Sequence, residues 1–303
     1  MSVLKSSISC LVLLLWITAG CVPYHPAEAA SPATPAGPTP GLINTQLAPG
    51  TGFTPAPVTV QTQPVPSADC MAVQGLIEEV TVESAAVGKD IQVKVYLPPC
   101  YDAKHAGGYP TLYLLHGQSY TQSHWVDLGV VEAADRMIIN KIAEPFLIVL
   151  PREEYYLQDF PESHFGDALL KEVLPRIESS FASCRKRTCR AIGGISRGAV
   201  WAVKLGLTHP ELFGEIGAHS LPSSPFSEYR LAELIKASNQ EYPLRLYLDT
   251  GTLDSYGTET IKFETWLTKY RLPHTWVYLP GTHNDDYWRS QVENYLDWYT
   301  RGW

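Results

Sequence analysis

One pentapeptide, Gly194-Ile195-Ser196-Arg197-Gly198, constrains this chain more than any other stretch. A Gly-x-Ser-x-Gly match alone is weak, because at roughly 7% for each fixed residue a chain this long shows one by accident about one time in ten. The flanks decide. Thr188–Gly193 reads as a buried strand, and Ala199–Leu207 runs as a helix without a breaker until Pro210 stops it. A strand that turns straight into a helix needs glycines on both sides of the turn, where backbones approach closely, and it lifts the intervening serine clear of the sheet.

A serine hydroxyl is a poor nucleophile at neutral pH, so the motif predicts a histidine to take its proton and a carboxylate to orient that histidine. Leu244–Asp249 reads as a strand followed by the loop Thr250-Gly251-Thr252-Leu253-Asp254. Asp254 lies in the loop itself and is favoured over Asp249, which sits at the strand terminus in a position suited to bonding nearby backbone. The next strand, Thr275–Leu279, ends in Pro280-Gly281-Thr282-His283 and leads into a helix from about Asp286 to Tyr299. His283 is the candidate base. His274 precedes that strand, His25 falls in the linker, His105 lies in an early loop, and His209 and His219 follow the elbow helix too closely to belong to a later strand end.

Attack on a carbonyl creates an oxyanion that needs fixed N–H donors. The elbow offers the N–H of Arg197. A second strand, Pro110–Leu115, breaks at His116-Gly117, so the N–H of Gln118 is the second candidate, with His116 read as a hydrogen-bonded scaffold residue.

The chain order Ser196, Asp254, His283 is that of α/β-hydrolases. These residues together resemble the esterase D or enterochelin-esterase-like family, which includes feruloyl esterases, S-formylglutathione hydrolases and mycolyltransferases. The resemblance covers about residues 75 to 300. Tyr109-Pro110 through Leu115-His116-Gly117 is similar to that family's oxyanion strand, and Trp125 stands where its members often have a tryptophan. Phe165–Phe181 resembles its long helix before the elbow. Gly251 with Asp254 resembles its acid loop, and Gly281-Thr282-His283 before Tyr287-Trp288-Arg289 its histidine loop. The resemblance implies ester hydrolysis through an acyl-enzyme, with no metal or other cofactor. Two residues depart from the family pattern: Arg197 stands where methionine is common, and Ala199 where the elbow commonly ends in a second glycine. A salt-bridged or surface-facing Arg197 is favoured over one that binds an acidic substrate group.

The sequence divides into residues 1–20, 21–66 and 67–303. Residues 1–20 carry one cation, Lys5, then the apolar run Leu11–Ile17 and small residues before Cys21, as in a secretory signal. Thr18-Ala19-Gly20-Cys21 resembles a bacterial lipobox, which implies lipidation of Cys21 and attachment to a membrane; ordinary cleavage and free secretion are the alternative. Residues 21–66 are rich in Pro, Ala, Thr and Gly, the composition of a flexible tether without a core. Export suits disulfides; the four cysteines beyond Cys21 allow three pairings, of which a local Cys184–Cys189 bridge that leaves Cys70 for Cys100 is favoured. No cysteine spacing matches a metal site with histidines.

Val80–Glu83 and Ile91–Val95 alternate around Val87–Asp90, predicting an antiparallel hairpin at the start of the folded part. Later strands such as Phe146–Leu150 are continuously apolar and alternate with helices, as a parallel sheet covered on both faces requires. The expected fold is therefore a three-layer α/β/α sandwich, mostly parallel with an N-terminal antiparallel hairpin. Leu169, Leu170, Val173, Leu174, Ile177 and Phe181 form one apolar face of the long helix, which Pro175 is expected to kink.

A net charge of -8 argues against nucleic acid as a partner, and Arg185-Lys186-Arg187 reads as a solvated loop. With 17 tyrosines and 8 tryptophans, aromatic residues in or near loops are candidate cleft walls: Tyr120, Trp125, Tyr155, Tyr156, Trp201 and Tyr256, with core packing the favoured reading for most of them. Trp125, Trp201 and Tyr256 are taken as substrate-binding candidates. The expected substrate is an ester, free or linked to a polysaccharide. An acceptor other than water would make the protein an acyltransferase, and a chain that kept the fold without turnover would be a carbohydrate-binding or envelope lipoprotein.

Overall fold

The computed structural model describes residues 70–154 and 160–303. The signal segment, Cys21, the tether, and Tyr155 and Tyr156 lie outside the described residues. Eight strands form one sheet: β1 (Leu76–Val82), β2 (Ile91–Leu97), β3 (Thr111–Leu115), β4 (Leu147–Pro151), β5 (Arg190–Ile195), β6 (Glu215–His219), β7 (Arg245–Gly251) and β8 (His274–Leu279). Their order across the sheet is β1-β2-β4-β3-β5-β6-β7-β8. β1 pairs antiparallel with β2, and β2 with β4; every pair from β4 onward is parallel.

Helices are α1 (His124–Asp127), α2 (Val130–Ile139), α3 (Phe160–Ser163), α4 (Phe165–Ala168), α5 (Leu174–Ser180), α6 (Arg197–Thr208), α7 (Glu228–Glu241), α8 (Gly257–Lys269) and α9 (Asp285–Thr300). Two apolar cores lie on opposite faces of the sheet. One packs α1, α2 and α9 through Trp125, Ala133, Met137, Val292 and Leu296. The other packs α4, α5, α6, α7 and α8 through Phe165, Ile177, Val203, Leu231 and Phe263. The result is the three-layer sandwich that the sequence predicts. β3, β4 and β5 are buried along their whole length; β4 and most of β3 read as apolar runs for that reason, whereas β5 opens on Arg190, whose buried charge is met by Glu178.

Several boundaries differ from the sequence reading. Thr188 and Cys189 lie in a 3₁₀ turn, Arg187–Cys189, and β5 begins only at Arg190. β7 runs on through Gly251, so Asp249 sits inside a strand and not at its end. His219 does close a strand, β6, at the same sheet edge as Ser196. Pro175 is accommodated by a π-helical turn, Leu169–Val173, placed between α4 and α5. Proline lacks an N–H and its ring crowds the carbonyl four residues earlier; a wider turn there relieves both problems without breaking the helix. Both expected disulfides, Cys70–Cys100 and Cys184–Cys189, are formed.

α6 carries the elbow and is almost wholly enclosed, with 10 of its 12 residues buried. Val200, Val203, Leu205 and Leu207 each contribute roughly 1.5–3 kcal/mol by leaving water, so the base of the nucleophile is held by core packing. The helix ends at Thr208, just before His209-Pro210.

Candidate active site

Ser196 stands on the turn between β5 and α6 with φ 54° and ψ −117°, a strained conformation for a residue with a side chain. Its N–H donates to the carbonyl of His219 at 2.9 Å, and its own carbonyl accepts from the Ala199 N–H at 2.9 Å. The flanking glycines are needed for space. A Cβ on Gly194 would overlap the Gly198 backbone, and one on Gly198 would overlap the carbonyl of Leu115.

His283 comes from the loop after β8. Its Nε2 lies 2.9 Å from Ser196 Oγ, and its Nδ1 lies 2.9 and 3.0 Å from the two oxygens of Asp254. A carboxylate only accepts, so the ring proton sits on Nδ1 and Nε2 is left to accept from the serine hydroxyl. Asp254 also accepts the Tyr256 N–H at 2.8 Å and the Ser220 hydroxyl. Burial opposes its charge, but the bonds from His283, Tyr256 and Ser220 outweigh that and hold the carboxyl below the usual range. Ser220 in turn accepts the indole N–H of Trp288 at 2.9 Å. The His283 ring is set between two aromatic edges, Tyr256 at 4.8 Å and Trp288 at 5.0 Å between ring centroids. An imidazole so placed can take a hydroxyl proton and hand it to a leaving group.

The other candidate acid, Asp249, faces elsewhere. It is fully buried and accepts from His219 Nδ1 at 2.7 Å and from the hydroxyls of Tyr287 and Tyr295, each at 2.8 Å. The backbone role expected for it gives way to a side-chain network beneath the elbow.

Arg197 opens α6, where the helix dipole favours negative charge. Its guanidinium is buried in a two-pronged ion pair with Glu153, at 2.7 and 2.9 Å. Gln118 lies exposed on the turn after β3. His116 is buried; its Nε2 accepts the Glu153 N–H at 2.9 Å, the scaffold role expected of it. Burial pushes its pKa down to about 4, with the Gly117 carbonyl and Glu153 working the other way.

Two substrate-binding candidates are corrected. Trp125 is 1% exposed, donates its indole N–H to the Leu115 carbonyl at 3.0 Å and packs on His219 and Tyr295. Trp201 is 2% exposed and packs on Phe165 and Gly166 of α4. Both are core, because large rings beside a sheet are the most effective filler of its faces. Tyr256 does border the site, 46% exposed beside the still more open Leu253. Sequence reasoning missed Glu153, Ser220, His219 and His124. The carboxylate or cation each pairs with is remote in sequence, 44 residues for Glu153 with Arg197, 30 for His219 with Asp249 and 161 for His124 with Asp285, and no local pattern marks them.

A family model described as "Putative esterase" matches residues 84–299. The endo-1,4-beta-xylanase/feruloyl esterase of Xylanibacter ruminicola is 30% identical over 156 residues, 47% of this chain and 21% of that protein. The chain thus spans about a fifth of that relative's length. The acetyl esterase of Caldicellulosiruptor saccharolyticus is 24% identical over 229 residues, 63% of this chain and 83% of the relative. Among solved structures, a ferulic acid esterase superposes with a TM-score of 0.67 at 24% identity, over 76% of this chain and 99% of its own.

Proposed function

The chain belongs to this esterase family of the α/β-hydrolase superfamily, and on that premise we propose that it is an exported serine esterase acting through an acyl-enzyme on Ser196. The observation that supports this is the unbroken run of hydrogen bonds from Asp254 through His283 to Ser196 Oγ, at 2.9 to 3.0 Å. Ser196 Oγ attacks the ester carbonyl as His283 Nε2 takes its proton. Asp254 keeps the ring in the tautomer that can accept and stabilises the imidazolium. Negative charge on the carbonyl oxygen is met by the N–H groups of Arg197 and Gln118, worth about 10²–10³ in rate for one such donor. His283 then protonates the departing alkoxide. Water, deprotonated by the same nitrogen, releases the acid.

Feruloyl and acetyl esters are the proposed substrates. The names of the relatives point to both, and the exposed Leu253, Tyr256 and Tyr120 offer an apolar rim suited to an aryl acyl group. Residues 1–20 act as the export signal, Cys21 as the lipid attachment point and residues 21–66 as the tether. Turnover of methyl ferulate and p-nitrophenyl acetate by residues 67–303, wild type and Ser196→Ala, tests the chemistry. Wild-type rates in the variant would refute it; labelled palmitate retained after Cys21→Ser would refute the anchor.

A further inference from the structure

A second histidine–carboxylate pair lies next to the candidate site, outside the Ser196, His283 and Asp254 set. His124, the first residue of α1, has its side chain 1% exposed. Its Nδ1 accepts the N–H of Gly117 at 3.3 Å. Its Nε2 stands 3.2 Å from Asp285 Oδ1, so the neutral ring with its proton on Nε2 satisfies both contacts at once. Burial lowers the His124 pKa, against the pull of Asp285 and Asp127, and so favours the neutral ring that this geometry requires. Tyr120 completes the cluster. Its hydroxyl donates to the same oxygen of Asp285 at 2.9 Å, and its ring stacks on His124 at 3.6 Å between centroids.

Gly117 to Tyr120 is a single turn, closed by the Tyr120 N–H on the Gly117 carbonyl at 3.2 Å and carrying Ser119 at φ 68°. Gln118 sits inside it. One end of this turn is held by His124 and the other by Asp285. Asp285 in turn opens α9, two residues after His283. The cluster therefore ties the turn that bears Gln118 to the segment that bears His283.

We propose that His124 and Asp285 are positioning residues for the ester hydrolysis: they fix the Gly117–Tyr120 turn so that the Gln118 N–H keeps its distance from the Ser196–His283 pair. This rests on the serine esterase reading. The His124 side chain is closed to solvent, so it can act on the reaction only through the turn it holds. A donor that drifts by about 1 Å can cost on the order of 10² in rate, so the effect belongs in kcat and not in KM.

His124→Phe keeps the ring volume and the stack on Tyr120 but removes both nitrogens. It should lower kcat 10- to 100-fold with KM within twofold. His124→Asn returns an acceptor near the Nδ1 position and should recover kcat to within about fivefold of wild type. Asp285 is partly exposed, so Asp285→Ala serves as a variant that folds even where His124→Phe does not; it should lower kcat three- to tenfold, and Asp285→Asn less than twofold. Each is measured with methyl ferulate beside Ser196→Ala. Should turnover prove independent of Ser196, the esterase reading falls and this inference with it. Should turnover need Ser196 while Asp285→Ala and His124→Phe stay within twofold of wild type, or His124→Asn be as impaired as His124→Phe, the positioning role alone is overturned.

Discussion

Replacing Asp249 and Asp254 one at a time by asparagine should separate stability from turnover at two carboxylates only five positions apart. Asp254 holds the proton of His283 on Nδ1. An amide there can turn its NH₂ to the ring and favour the tautomer with the proton on Nε2, which cannot accept from Ser196. A loss of about 10⁴ in kcat, some 5.5 kcal/mol of barrier, is the expected scale for a misoriented triad histidine. Asp249 instead accepts three bonds in full burial, from His219, Tyr287 and Tyr295. Making the acceptor neutral weakens each by about 1 kcal/mol. His219 recovers part of this by shifting its proton to Nε2, which faces the Tyr299 hydroxyl at 3.2 Å. The net cost is about 2 kcal/mol, or roughly 4–8 °C in Tm for a domain of this size. Thermal melts and ester turnover at pH 7.5 are measured on both variants. Asp249→Asn should melt early yet keep kcat within about fivefold, while Asp254→Asn should melt near wild type. The reasoning fails if Asp249→Asn loses as much turnover as Asp254→Asn, or if Asp254→Asn keeps more than a tenth.

His116 makes a pH prediction. Its folded pKa of about 4 lies below the ordinary 6.5, so the unfolded chain binds more protons between those values and stability drops as pH falls through them. From pH 7.5 to 4.5 this costs about 2.5 kcal/mol. His116→Gln, which keeps an acceptor for the Glu153 N–H, should lose that much less in urea unfolding over the same interval; identical pH dependence would refute it. Arg197→Ala should destabilise by about 3–5 kcal/mol, because it strands the buried Glu153 carboxylate, while the double change Glu153→Leu with Arg197→Met should fall within about 1 kcal/mol of wild type. Denaturant midpoints check both, and an Arg197→Ala cost below 1 kcal/mol would show that the pair is not what holds this region.

The elbow was legible because its demands are local. Gly194 and Gly198 answer to atoms within a few residues or on the adjoining strand end, and the apolar runs of β3 and β4 record burial on both faces. His283 and Asp254 could be found because each follows a strand that announces its end with Pro280-Gly281 or Gly251. β6 hid itself. Of its five residues, Glu215-Ile216-Gly217-Ala218-His219, only Ile216 is a large apolar one, and pairing of Glu215 with Arg245 and of His219 with Asp249 lets the two polar ends be buried. For Trp125 and Trp201, composition gave the ring but not the face it turns to. His124 and Asp285 are separated by 161 residues, a distance over which nothing but the fold relates them.

Ser196 has a consequence for how such a chain ages as a lineage. Its backbone sits where glycine is at ease and other residues are not, at an expense of about 1–3 kcal/mol. On the role proposed for Ser196, glycine there would relax the turn while ending the chemistry. Selection for turnover and selection for a durable fold therefore oppose each other at a single position, and they agree across the core around it. A duplicate released from the need to cleave esters should change first at Ser196, toward glycine, long before its sheet or helices begin to erode.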